Sequence, residues 1–346
     1  MSFVNIDPTD LVVSADSVTA PAWGTNLPTL TQYYTSSIIS TSPTFYVDVY
    51  TPNSADTTPQ FSIAYGNVLG SGSEYYNDLV PGMSPSRTTY GQYRTLVYGD
   101  ENTNFNFGPG NPSSSDILVI NINRAKYKEK LFLSTFNLYL SGSGLIQLTN
   151  NSVSSNVVNF LDCGRVYDIV SGSNGSPTTS TPVSVSGVTA GYTPSGSYGL
   201  YLPDVGLIVL NPRAIALPFV SGGIGLTVNT PADTNSANFL NLYEAIKAGG
   251  NVINNTGFQL NSEETISSNY IFVRVRNSDF NYSTNPSMIS GSGELVYPTL
   301  INNPQTYATT VGLYNLSNDL LAVAKLSKPL VKDFTKEALI RVKLNW

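Results

Sequence analysis

Histidine is absent from the 346 residues. That removes Ser-His-Asp and Cys-His catalysis, the usual zinc hydrolase sites, and imidazole proton transfer near neutral pH. Cysteine is almost as scarce: Cys163 stands alone, so no intramolecular disulfide framework exists, in keeping with folding in a reducing cytoplasm. Charged residues are thin at 12%, against roughly 25% in ordinary soluble chains. The charges sum to −6, and an acidic balance argues against general nucleic-acid binding, which needs a basic footprint. No apolar run approaches the ~18 to 20 residues that span a bilayer. The opening MSFVNIDPTDLVV lacks the basic and apolar regions of a signal peptide, so the chain is expected not to direct its own export.

Ser, Thr, Asn, Gly, Pro and 22 tyrosines take the place of charge. Ser, Thr and Asn compete for backbone hydrogen bonds and disfavour long helices. The same composition suits short strands joined by many turns. An isolated monomer gains from a charged surface, so the shortfall admits two readings: a surface covered in an assembly, or the polar exterior of a secreted β-protein.

Patterning is strongest toward the C-terminus, in YIFVRVRNSDFNYS (270–283), GELVYPTL (293–300), TYATTVGLYN (306–315), DLLAVAKLSKP (319–329) and ALIRVKLNW (338–346), with FTKE (334–337) leading into the last. Ile271, Val273 and Val275 alternate with Phe272, Arg274 and Arg276, and Ile340, Val342 and Leu344 alternate with Arg341 and Lys343. A period of two with one polar face marks half-buried strands. NLSN (315–318) is a four-residue polar connection suited to a hairpin. The fold expected is mainly β with two short helices. An extended arm with one or two strands occupies 1–60, a central mixed β domain 61–262, and an antiparallel, sandwich-like module 263–346.

Within the arm, SIIS (37–40) is short and TFYVDVY (44–50) reads as a strand. One helix is expected in SRTTYGQYRTLVYG, with Ser84 as N-cap, Pro85 in the first turn, and Tyr90, Tyr93, Leu96 and Val97 on one face. The other is SANFLNLYEAIKAGG (236–250), with Phe239, Leu240, Tyr243 and Ile246 on one face, a Glu244–Lys247 pair, and Gly249-Gly250 ending it. DILVININ contains a run fit for burial on both faces, and FNLYLSG with GLIQLT reads as a hairpin. The Ser/Thr/Pro-rich tract 176–197 reads as a surface loop.

Motifs with chemical content are weak. GNVLGSGS lacks the lysine of a phosphate-binding loop and reads as a turn with glycines at positive φ, and SGGIGL (221–226) opens no helix. Asp116, Asp162, Asp168, Asp204, Glu263, Glu264 and Asp279 are the acids that glycosidase chemistry would draw on, but spacing alone brings no two together. Asn-X-Ser/Thr matches such as those at Asn150, Asn254, Asn281 and Asn315 are expected by chance in this composition. Four basic residues, Arg124, Lys126, Lys128 and Lys130, crowd one segment. They read as a solvated strand end or as partners of acids on another subunit, because only Tyr127 interleaves with them.

Eight collinear segments from about residue 61 onward are similar to virion structural proteins of large contractile-tailed bacteriophages and cyanophages. They are FSIAYGNVLGSGS, SPSRTTYGQYRTLVYGDENTNFNFG, DILVININRAKYKEKL, GRVYDIVSGSNG, YGLYLPDVGLIVLNP, VRVRNSDFNYSTNPSMI, TYATTVGLYNLSNDLLAVAKLSKPLVK and ALIRVKLNW. The resemblance implies a non-enzymatic subunit of the tail or baseplate, wedge-type, with no cofactor. It would be made in the host cytoplasm and present in several copies among other tail proteins, without direct contact to nucleic acid or membrane. Edge strands, the arm and Tyr-rich patches would carry assembly. The candidate contacts are Tyr46, Tyr50, Arg124, Lys126, Lys128, Lys130, Arg274, Arg276, Lys325, Lys328, Arg341, Lys343 and Trp346. Two other stations remain open, a receptor- or glycan-binding tail protein and a neck, connector or capsid-associated one.

Overall fold

Strands dominate the computed structural model, which describes residues 4–35, 46–51, 58–70, 72, 85–108, 113–178, 198–217, 223–226, 235–252, 257–283 and 285–345. The fold is mainly antiparallel β, as the patterning predicts. The N-terminal half runs β1 (Leu11–Pro21), β2 (Thr29–Leu30), β3 (Tyr34–Thr35), β4 (Tyr46–Tyr50), β5 (Phe61–Asn67), α1 (Ser86–Tyr98), β6 (Asp116–Ile122), β7 (Lys130–Leu131), β8 (Leu138–Ser141) and β9 (Leu145–Asn150). There follow β10 (Asn159–Leu161), β11 (Gly164–Ser173), β12 (Ser176–Pro177), β13 (Gly199–Leu202), β14 (Leu207–Leu210), α2 (Pro212–Ile215) and α3 (Asn235–Val252). The chain then continues through β15 (Phe258–Gln259), β16 (Asn261–Val275), α4 (Thr299–Asn302), β17 (Thr306–Tyr314), β18 (Leu320–Lys332) and β19 (Ala338–Asn345). It divides into two units, Val18–Glu264 and Met1–Ser17 with Thr265–Trp346.

The larger unit is built on an antiparallel sheet in the order β3-β4-β5-β6-β14-β13-β11-β9-β8. Its interior strand β6 is apolar on both sides. Leu118, Ile120 and Ile122 enter one cluster with Phe239, Leu242 and Ile246 of α3, while Ile117 and Val119 enter a second with Tyr90 and Val97 of α1. A helix on each face explains why DILVINI carries no polar face. Gly66 lies inside β5 and not in a turn of positive φ. A Cβ there would fall 2.9 Å from the Tyr90 backbone, so the missing side chain lets α1 approach.

Both helices differ from expectation in their ends. Helix α1 starts at Ser86, with Pro85 at the cap position making no side-chain bond, and Ser84 lies outside the described residues. Leu96, expected on its apolar face, is 46% exposed. Helix α3 passes through Gly249-Gly250 to Val252. A Cβ at Gly249 would fall 2.2 Å from the Tyr139 carbonyl oxygen, and one at Gly250 would fall 2.8 Å from the Tyr33 ring. These glycines serve close packing, not termination, and the expected Glu244–Lys247 pair stands at 3.6 Å.

The described residues of 1–60 carry four strands, more than the one or two expected. Trp23, Leu30 and Tyr33 are buried, and the Trp23 indole N–H donates to the Phe258 carbonyl at 2.9 Å. Strand β2 pairs with β15. Scattered aromatics without periodicity concealed this part of the core. SIIS and most of the tract 176–197 lie outside the described residues, although Ser176–Pro177 pairs with β11.

In the smaller unit, β16 pairs with β19 from Ser268↔Asn345 to Val275↔Ala338, and β1 flanks β16 on its other side. Strands β17 and β18 form a separate hairpin. Ile271, Val273, Ile340, Val342 and Leu344 meet Val311, Leu313, Ala322 and Ala324 in one small cluster. The hairpin turn spans 315–319, one residue more than NLSN, with Asn318 at φ 64. GELVYPTL is not a strand beyond an isolated bridge at Leu295, since Gly293 has φ 84 and Pro298 precedes α4.

Candidate functional site

The residues singled out in the sequence fall into three places. Tyr46 and Tyr50 lie on β4, Tyr46 exposed and Tyr50 half-buried. Trp346 lies outside the described residues. The basic segment 124–130 leaves β6 through a turn capped by Asn123, whose side-chain oxygen accepts from the Ala125 N–H at 3.0 Å. Its charges are met within the chain and not only by solvent or another subunit. Lys128 pairs with Glu264 at 2.6 Å, and Lys130 stands 3.7 Å from Glu263. Arg124 lies over the Tyr127 ring, 4.6 Å from its centroid. Lys126 is half-buried in the same turn.

Beside this segment an open cleft of about 550 Å³ is lined by Ser62, Asn121, Asn123, Arg124, Tyr127 and Asp204, among others. Asp204 is committed to Arg165: the Arg165 backbone N–H donates to it at 2.8 Å, and the guanidinium Nε at 3.1 Å. Burial raises the Asp204 carboxyl, but the hydrogen bonds and charge of Arg165, with Lys130, outweigh it and hold the group below the ordinary value. Three more of these acids are likewise engaged one by one. Asp168 is raised by burial and accepts from Asn151 at 3.3 Å, Asp116 accepts from Tyr65 at 3.3 Å, and Asp279 accepts from the Arg276 N–H at 3.2 Å.

The third place is the smaller unit, where the strand register gathers candidates that are far apart in sequence. Tyr270 faces Lys343, Phe272 faces Arg341, and Arg274 faces Leu339 across β16 and β19. With a period of two, all six side chains share the face opposite the apolar cluster. Arg341 and Lys343 lean over the Tyr270 ring at 5.6 and 5.4 Å, and Arg274 reaches Asp10 at 2.8 Å. Lys325 and Lys328 are separate from this group. Lys325 lies opposite Thr310 on the hairpin, whereas Lys328 falls where the register jumps between Ala308↔Leu330 and Thr310↔Lys325. That jump accommodates Pro329, which cannot donate to a regular ladder.

Two features of this unit escaped the sequence reading. Lys332, which no strand pattern marks as internal, is 2% exposed. Its ammonium donates to the Asn277 carbonyl at 2.9 Å, Asn281 Oδ1 at 2.7 Å and the Asp333 carbonyl at 2.9 Å, which satisfies all three of its protons. The other is the apolar tip of the hairpin. Leu316 is 103% exposed, Leu321 68% and Val323 61%. Tyr314 and Leu320 fold over Gly312, where a Cβ would meet the Tyr314 ring at 2.9 Å and Leu320 Cδ1 at 3.3 Å. Leucines flanking a turn were visible in the sequence, but not that no layer among the described residues covers them.

No family model, curated protein or solved structure matches the chain.

Proposed function

We propose that the chain is a non-enzymatic structural subunit of a tailed-phage virion, a tail or baseplate component that is completed by its neighbours. The observation that carries this reading is the imbalance within the smaller unit. Its apolar cluster has three buried members, Ile271, Leu313 and Val342. Leu11, Val13, Tyr307, Leu316, Leu321, Val323, Phe334 and Leu339 all stand exposed in the same unit. A small domain needs most of its apolar surface buried to be stable, and contiguous exposed apolar area marks interaction sites. The eight-segment likeness to tail-associated virion proteins supports the same reading, and its partners are then other tail and baseplate proteins.

The test is to locate the chain in an averaged image of the intact particle, using a fused tag as marker. Density for the tag at a fixed station on the tail or baseplate is the expected result. Absence of the chain from purified particles, or turnover of a polysaccharide by the purified chain that Asp or Glu substitution abolishes, would overturn the proposal.

A further inference from the structure

The inference rests on the assembly reading and names the kind of neighbour that one sheet edge takes. Among the described residues β19 hydrogen-bonds to β16 alone, so the N–H and C=O groups along its other side form an open edge. The side chains flanking that edge alternate in a chemically specific way. Ile340, Val342 and Leu344 point into the apolar cluster, while Arg341 and Lys343 stand on the exposed face. Both cations are held over Tyr270, and neither reaches a carboxylate among the described residues. Of the unit's acids, Asp10 is engaged by Arg274 and Asp333 by Lys336.

We propose that β19 accepts an extended segment of a neighbouring protein as an added strand, with acidic residues at alternate positions opposite Arg341 and Lys343 and aliphatic residues between them. The period of two dictates the pattern. Residues that fall on the inner side prolong the cluster beside Val342, and residues on the outer side meet two cations two positions apart. Backbone hydrogen bonds supply affinity, and the alternate side chains supply selectivity. A lysine or arginine at the outer positions would set like charges across a strand pair, which is unfavourable.

The probe is a ten-residue labelled peptide alternating glutamate and valine, titrated into the full chain and followed by anisotropy and by amide exchange over Ala338–Asn345. Controls are the same peptide with lysine for glutamate, an N-methylated version, and a single-stranded oligonucleotide. The expected result is binding of the glutamate peptide with slowed exchange in β19. The lysine peptide is at least about tenfold weaker, and N-methylation abolishes binding. The exposed double variant Arg341→Glu/Lys343→Glu reverses the preference while β16 keeps its exchange protection. Equal binding of the two peptides, binding without protection of β19, or binding of the oligonucleotide alone overturns the inference. So does no binding at all, which would mean that Arg341 and Lys343 keep the edge unpaired. If the chain is present in particles but the peptide fails, this inference falls alone; if the peptide binds but particles lack the chain, the assembly reading falls alone.

Discussion

Replacing Leu316 and Leu321 with serine separates folding from assembly. Leu316 is fully exposed and Leu321 is 68% exposed, so neither contributes much packing to the unit itself. Surface substitutions away from special features change stability by about 0.5 kcal/mol or less. The isolated double variant is therefore expected to melt and to unfold in urea as the parent does. Assembly is another matter. Burying a leucine side chain contributes about 1.5–3 kcal/mol, so a neighbour that covers both residues stands to lose roughly 3 kcal/mol or more. At 1.4 kcal/mol per decade that is about a hundredfold in affinity. On the proposed virion role the assay is competition: parent and variant are co-expressed during infection, and their ratio in purified particles is read by mass spectrometry. Depletion of the variant from particles, with equal soluble levels, is expected. Equal incorporation would show that the hairpin tip is not an interface, and a large fall in stability of the isolated variant would show that the leucines belong to the fold.

Three further outcomes follow from buried groups. Lys332→Met leaves the oxygens of Asn277, Asn281 and Asp333 without their donor; at about 1–3 kcal/mol for an orphaned buried acceptor, the smaller unit should lose roughly 2 kcal/mol in urea unfolding, and an unchanged midpoint would refute that role. Asp204 titrates below its unfolded value when folded. Its contact with Arg165 therefore stabilises fully above an unfolded pKa near about 3.9 and is lost as pH falls through the lower folded value. The parent should weaken more steeply than Asp204→Asn in urea titrations between about pH 5 and pH 3; parallel profiles would remove the argument. Burial pushes the Cys163 thiol up to about 11, so alkylation at mildly alkaline pH should be slow in the native chain and rapid in urea. Fast native labelling would contradict that burial.

Much of the fold was legible because local rules and tertiary demands agree. The alternation in YIFVRV and ALIRVKL fixes which side chains face inward, and the structure pairs those two strands with that side on the apolar cluster. DILVINI carries no polar face because both of its faces are covered. Where one residue type serves two purposes, the sequence misleads. Gly249 and Gly250 look like a helix stop yet make room for the Tyr139 carbonyl and the Tyr33 ring, a demand set by residues more than a hundred positions away. Lys332 looks like surface charge until a turn at Asn277–Asn281 brings two oxygens to it beside the Asp333 carbonyl.

What the amino-acid order determined by itself was the strand content, the two-sided burial of β6 and the exclusion of histidine chemistry, all properties of neighbours in the chain or of composition. Only the tertiary structure decided that Lys128 and Lys130 meet Glu264 and Glu263, while Arg341 and Lys343 stand over Tyr270 on a strand that pairs on one side alone among the described residues. The physical reason is that partnership is long-range. Whether a cation is neutralised or left facing outward depends on which distant strand the register sets beside it.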